Sequence, residues 1–322
     1  MTADTPFDAP TFDAAVFGLI VADLVTAPID LANPPKPGGL VRVETLTLAT
    51  GGNVCNTGIA MRKLGGRVAA CGLVGDDPLG SAMLASLAAA GLDTAGVRRD
   101  GRAQTSATVV AVAPDGERCF FHAPGVAPLL DADAFRGCFD TFAASRFVQV
   151  GYFGLLENLT DDLPSLIDEF RRTRSPRVRF ALDTVHPPAA AERLWPILPH
   201  LDVFCPSRSE AIALADTREP GEMIDRFRAA MPADALVGIK LDAEGCLLDD
   251  GRSRVFVPSY RVKVIDTTGA GDTWFGGLLT GLRLGLPLEQ AGRLANRAAA
   301  DCCTALGAST GVRDLADTLA RL

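Results

Sequence analysis

Short apolar runs alternate with longer segments of helical periodicity along most of this chain, and that alternation constrains its fold more than any single motif. Ala15 to Ile20, Arg67 to Leu73, Arg146 to Val150, Val178 to Leu182, Val203 to Cys205 and Leu236 to Ile239 read as strands. Val54 to Leu64, ending at Gly65-Gly66, Ser81 to Ala90, ending at Gly91, Asp161 to Arg172 and Ser207 to Ala215 read as helices. Apolar strands separated by helices predict an α/β fold, a mostly parallel sheet with helices on both faces. Ligands in such folds bind at the carboxyl ends of the strands.

Two regions break the alternation. Thr26 to Thr50 holds a Pro/Gly loop, Pro34-Pro-Lys-Pro-Gly-Gly39, followed by Val41 to Leu48. Thr105 to His122 reads as two strands around Asp115-Gly116, a hairpin signal. Strands that no helix follows form a small separate sheet, and a flap over a site is a physical use for one. Phe120 and His122 in that flap are candidates for substrate contact, for its core or for a dimer contact. Asp249-Asp-Gly251 marks a further hairpin at the edge of the main sheet. We therefore expect one domain over residues 1–322, with lid strands from about 26–50 and 105–125.

The run Asp266-Thr-Thr-Gly-Ala-Gly-Asp272-Thr-Trp-Phe-Gly-Gly carries the chemistry. Before it, Arg261 to Ile265 alternates charged and apolar residues as a half-buried strand does; after it, Phe275, Leu278, Leu279 and Leu282 keep helical spacing up to Gly285 and Pro287. The first N–H groups of a helix lack intrahelical partners and sit at the positive end of its dipole, so Gly269, Ala270 and Gly271 offer donors to a phosphate. Asp272 would repel that phosphate, which makes it a candidate base for an attacking hydroxyl. A plain strand-to-helix turn with an aspartate N-cap is the competing reading. Gly276, Gly277 and Gly281 inside the helix each cost roughly 1 kcal/mol against alanine, so close backbone packing, beside a ligand in the simplest case, must favour them.

Composition removes several functions. With 48% hydrophobic and 22% charged residues the chain can build a large core, and a formal charge of −8 with pI near 5.0 and no basic run argues against a nucleic-acid partner. Asp4, Asp8 and Asp13 precede any apolar segment, and Ala14 to Ala22 is far shorter than the ~20 residues a membrane helix needs. No membrane partner and a cytoplasmic location are expected. The eight cysteines show no C-x-x-C spacing, and His122, His186 and His200 make no metal-ligand pattern. There is no P-loop, no protein-kinase signature set and no third glycine of a dinucleotide fingerprint.

At these residues the chain resembles the PfkB, or ribokinase-like, carbohydrate kinases. Asp266 to Gly276 matches one family signature, Gly51-Gly-Asn-Val-Cys-Asn56-Thr-Gly-Ile-Ala a second, and Gly72 to Gly80 is similar to the segment that follows the second. The resemblance runs from about residue 14 to residue 311. It implies a ribokinase-like three-layer sandwich with a small β-sheet lid, and ATP- and magnesium-dependent phosphoryl transfer to a sugar hydroxyl. Asp272 would be the base and Gly269 to Gly271 the anion hole. Asp23 and Asn56 match substrate-binding positions, with Gly51, Gly52 and Asn53 lining the substrate site; Val21 stands where an asparagine is common, which weakens the case for ribose in particular.

Glu210 matches a glutamate that organises water and magnesium, although Ser207 replaces an asparagine and Ser207 with Glu210 also reads as a capping box. Lys240 and Gly245 match the nucleotide side, with Asp242 where glycine is common, and Asn296 matches a position near adenine. Asp266, Thr268, Cys302, Ala305 and Gly307 match a monovalent-cation site of some members, which adds potassium to the implied cofactors. Family lids often pair across a homodimer. A nucleoside kinase of the same fold, and a catalytically silent sugar-binding regulator, stay open as alternatives.

Overall fold

The computed structural model describes residues 10–31, 33, 36–114, 117–185 and 191–322. Asp4, Asp8, Pro34, Pro35, Asp115, Gly116 and His186, named above, lie outside the described residues. Thirteen strands are described: β1 Phe12–Gly18, β2 Val21–Ala27, β3 Thr45–Gly51, β4 Val68–Gly75, β5 Asp93–Asp100, β6 Ala107–Val112, β7 Arg118–Ala123, β8 Ser145–Phe153, β9 Arg179–Thr184, β10 Val203–Phe204, β11 Leu236–Lys240, β12 Gly245–Asp249 and β13 Arg254–Pro258. Nine form one sheet in the order β13-β12-β11-β10-β9-β8-β1-β4-β5, and four form a second in the order β3-β2-β6-β7.

In the large sheet every pairing from β11 to β5 is parallel, and only β12 runs against its neighbours. Its strands are apolar on both faces because both faces are covered. Along β1, Ala15 and Phe17 enter one core with Phe135, Phe142, Phe170 and Phe180. Ala14 and Val16 enter the other, with Met61, Phe147, Trp274 and Phe275. From β1 the chain moves outward through β4 and β5, then returns to the other side of β1 at β8 and continues to β11. That reversal is a topological switch point, where the carboxyl ends of adjacent strands splay and leave a crevice.

Three expectations need correction. Arg261 to Ile265 forms no strand: the segment is irregular, and Val264 and Ile265 lie exposed. Its alternation has no neighbouring strand to pair with. The first strand stops at Gly18, and Val21–Ala27 turns away as β2 into the small sheet, pairing with β3 and β6. The lid therefore takes in β2 as well as β3, β6 and β7. The third concerns the glycines of the Ala270–Arg283 helix, which meet other helices rather than a ligand. A Cβ on Gly276 would stand 3.1 Å from Met61, one on Gly277 2.8 Å from Ala295 Cα, and one on Gly281 2.7 Å from Ala291 Cα. The Asp249–Gly251 hairpin is present, joining β12 to the edge strand β13.

Candidate active site

Gly269 takes φ 72 as N-cap of the Ala270–Arg283 helix, a left-handed conformation that glycine adopts freely, and a Cβ there would meet Ala308 at 2.5 Å. Ala270 N–H closes the turn on Thr267 O at 3.2 Å, and Gly271 is exposed at the mouth of the helix. One residue on, Asp272 is buried in the first turn. It does not cap its own helix. Its Oδ2 accepts from Asn56 Nδ2 at 2.9 Å and from the Tyr152 hydroxyl at 2.9 Å, and its Oδ1 accepts from Thr57 Oγ1 at 3.4 Å. Burial raises its carboxyl above the usual range, while the donors on Asn56 and Tyr152 and the charge of Lys240 oppose that shift.

A cavity of about 800 Å³ opens on this helix end. Gly269, Ala270, Gly271 and Asp272 line it together with Glu210, Lys240, Gly245 and Asn296, so the residues assigned to catalysis and to the nucleotide share one space. Lys240 ends β11 and its Nζ donates to Asp183 Oδ1 at 2.8 Å; a Cβ on Gly271 would lie 3.6 Å from that ammonium. Desolvation and the nearby Asp272 and Glu210 push Asp183 up to about 7, against the pull of Lys240. The lysine stays charged, since burial lowers its pKa less than Asp183 and Glu210 raise it. Asp183 escaped the sequence reading. Its signal was a carboxylate directly after the apolar run Val178 to Leu182, at the carboxyl end of β9.

Glu210 and Ser207 do form the capping box: Glu210 Oε2 accepts from Ser207 N at 2.7 Å, and Ser207 Oγ accepts from Glu210 N at 3.4 Å. The same Oε2 accepts from Thr184 Oγ1 at 2.7 Å, and the residue still faces the cavity. Asp242 holds φ 55, a conformation aspartate tolerates where glycine is common. Asn296 is buried, not superficial. Its amide donates to Val257 O and Pro258 O at 3.0 and 3.1 Å, and its oxygen accepts from Trp274 Nε1 at 2.8 Å. It shapes the cavity wall with its hydrogen-bonding groups already engaged.

On the lid side, Asp23 lies on β2 beside Thr108 of β6, which in turn pairs with His122 of β7, so the three form one row across the sheet. Thr108 Oγ1 and His122 Nδ1 are 3.0 Å apart. Burial raises the Asp23 carboxyl, with Thr108 and His122 opposing. Phe120, on the same face, is largely exposed. A Cβ on Gly51 would fall 2.2 Å from Asp23 Oδ2 and push that carboxylate aside, whereas Gly52 must be glycine because it holds φ 83 and a Cβ would fall 2.3 Å from Leu19 O. Cys55, between the halves of the site, is pushed up to about 12 by burial, with both Asp23 and Asp272 adding to the shift. Asn53 is different: it is 0% exposed, and its amide bonds Leu19 N, Phe17 O and Gln149, so it builds the β1–β2 turn instead of facing a substrate.

The loop residues Asp266, Thr268, Cys302, Ala305 and Gly307 do come together. Asp266 accepts from Thr268 N at 2.8 Å and Gly307 N at 2.9 Å; Cys302 Sγ donates to Thr268 O at 3.5 Å, and Ala305 N donates to Cys302 O at 3.5 Å. A cation is already there. Arg118 of the lid strand β7 pairs with Asp266 Oδ1 at 2.8 Å and hydrogen-bonds Thr268 Oγ1. Burial raises the Asp266 carboxyl, yet the Gly307, Thr268 and Arg118 donors together hold it below its ordinary range.

An open helix N-terminus, a buried carboxylate held by three donors and a lysine thus line one cavity, groups whose charges suit a phosphoryl group. The pfkB family carbohydrate kinase profile matches residues 12–315. An uncharacterized sugar kinase of Archaeoglobus fulgidus is 30% identical over 261 residues, 79% of this chain and 98% of that protein. A ribokinase of Haemophilus influenzae is 28% identical over 94% of this chain and 96% of its own. The structure of Arabidopsis thaliana ribokinase complexed with ribose and ATP superposes with a TM-score of 0.78 at 21% identity, covering 96% of this chain and 98% of that one, a likeness of fold. The chain belongs to the pfkB family of carbohydrate kinases, enzymes that use an alcohol group as phosphoryl acceptor.

Proposed function

We propose that this chain transfers the γ-phosphoryl group of ATP to a hydroxymethyl group of a small carbohydrate. The observation that carries the proposal is the position of Asp272, buried in the first turn of the helix whose N-terminus lines the cavity and joined through Asn56 to the Gly51–Asn56 segment beneath the lid. Phosphoryl transfer needs positioning and charge stabilisation more than covalent chemistry. The Gly269 to Gly271 backbone and the Lys240 ammonium face the phosphates, and the Asp272 carboxylate takes the proton of the attacking hydroxyl. The row of carboxylate, hydroxyl and imidazole at Asp23, Thr108 and His122 offers a polyol both acceptors and donors, which favours a sugar over a nucleoside.

Glu210 and Asp183, the latter paired with Lys240, line the cavity and would hold a magnesium ion, which would supply charge neutralisation for the phosphates. Arg118 already pairs with Asp266, the anionic member of the candidate potassium set, so the charge of that carboxylate does not call for potassium. No helix among the described residues is long and apolar enough to cross a membrane. The eight cysteines are free, which supports a reducing, cytoplasmic setting. The exposed Leu46 and Phe121 of the small sheet favour a homodimer.

The test is a screen for ADP release with ATP and magnesium over pentoses, hexoses, sugar acids, sugar phosphates and nucleosides. Asp272→Asn should keep the fold and ATP binding while turnover falls by a factor on the order of 10³. Near-parental turnover in that variant overturns the base assignment. Silence of the parent across the panel points to the regulator.

A further inference from the structure

Tyr152 combines three features that a residue at the end of a buried strand has no structural need for. It adopts φ 63, although it is neither glycine nor a small polar residue. It sits in an irregularity of β8, where the register with β9 shifts between Val150 and Phe153. Its hydroxyl donates to Asp272 Oδ2 at 2.9 Å, and the residue lines the cavity. A bulge re-aims one side chain out of the alternation of its strand, and left-handed backbone at a bulky residue persists only where the surroundings hold it. Here they do. A Cβ on Gly151 would fall 2.2 Å from the Asn53 amide, and Leu155 N donates to Tyr152 O at 2.9 Å.

The two oxygens of Asp272 are not equivalent. Oδ2 has two donors at 2.9 Å, from Asn56 and Tyr152, whereas Oδ1 has one long bond of 3.4 Å from Thr57. We propose that Tyr152 is a positioning residue that, with Asn56, saturates Oδ2 of the base and leaves Oδ1 to take the proton of the acceptor hydroxyl. The inference rests on Asp272 being the base. Oδ1 forms the new O–H bond as the hydroxyl oxygen bonds to phosphorus and ADP leaves. Tyr152 keeps its own proton throughout, since burial, the Asp272 charge and its bond to that carboxylate raise its pKa well above the ordinary value.

Besides Tyr152 on β8, the groups facing Asp272 are Asp183 on β9, Lys240 on β11, Cys55 on the Asn53–Lys63 helix and Cys302 on the Leu288–Cys302 helix. None of them changes in Tyr152→Phe, which removes one hydroxyl and nothing else. That variant should lose about tenfold or more in kcat with the KM for ATP held within about twofold. The donor stabilises the ionised carboxylate, so its loss should move the acid limb of the kcat/KM profile about one unit to higher pH. Unchanged kcat and an unmoved limb overturn the proposal, as does a fall in melting temperature with the limb unmoved. Full turnover in Asp272→Asn overturns the base assignment and this inference together; a dead Asp272→Asn beside an unaffected Tyr152→Phe overturns this one alone.

Discussion

Arg118 decides a question that residue type alone leaves open. Its guanidinium reaches from the lid to Asp266 and Thr268, in the loop that leads into the helix carrying Asp272, so one cation joins the small sheet to that loop. Arg118 supplies beside Asp266 the positive charge that a bound monovalent cation would otherwise supply. Turnover is therefore expected to be the same in potassium chloride and in tetramethylammonium chloride at matched ionic strength, and to fall about tenfold in Arg118→Ala in both salts. A parent enzyme inactive without potassium would sink this reading. The residues that proved hardest to read share one property: Arg118, Asp183 and Tyr152 take these partners from distant elements, a loop, a strand and a helix, across 148, 57 and 120 residues respectively. Asp272 and Gly269, by contrast, sit within one local motif whose turn and helix start are written in adjacent residues.

Among the elements, the Ala270–Arg283 helix shows why three interior glycines are tolerated. It lies wedged between the Asn53–Lys63 and Leu288–Cys302 helices, and the atoms that a Cβ on Gly281 would strike belong to the backbone and Cβ of Ala291, which cannot rotate away. Alanine gains roughly 1 kcal/mol in helix propensity. Overpacking costs about 1–3 kcal/mol, and here the clash is with main chain, so it wins. Gly281→Ala should lower the unfolding free energy by about 1–2 kcal/mol in urea titration, and a stabilised variant would show that the helices move apart cheaply. The elements least legible in the sequence fail for reasons of this kind. Arg261 to Ile265 alternates as a strand does but has no partner; it runs along the cavity instead, with Arg261, Val262 and Val264 in its wall. The β1–β2 boundary carries no turn signature because the turn at Gly18 to Ile20 is held by Asn53, a residue 34 positions on. The parallel core was legible because its apolar runs need no distant partner to be recognised.

At the scale of the whole molecule, the lid's two faces differ: the one with the polar row also carries Phe120, and the other is apolar across every strand. Asp23, Thr108 and His122 point to one side; one residue on or back, Leu48, Leu24, Val109 and Phe121 form a row across all four strands on the other. Phe121 is 63% and neighbouring Leu46 70% exposed, on a sheet whose edges β3 and β7 have no further strand among the described residues. A contiguous apolar row on an open-edged sheet is unusual for a monomer, and a second copy of the same face is its natural cover. Covering it would also brace the strand that holds Asp23, so assembly and activity are coupled in this reading. The parent chain should sediment as a dimer at micromolar concentration, and Phe121→Glu as a monomer whose KM for sugar rises about tenfold while its KM for ATP does not, because Lys240 and the Ala270 helix lie outside the lid. A parent that sediments as a monomer from low to high micromolar concentration would remove the dimer, and a monomeric Phe121→Glu with parental kinetics would uncouple the lid's outer face from the site beneath it.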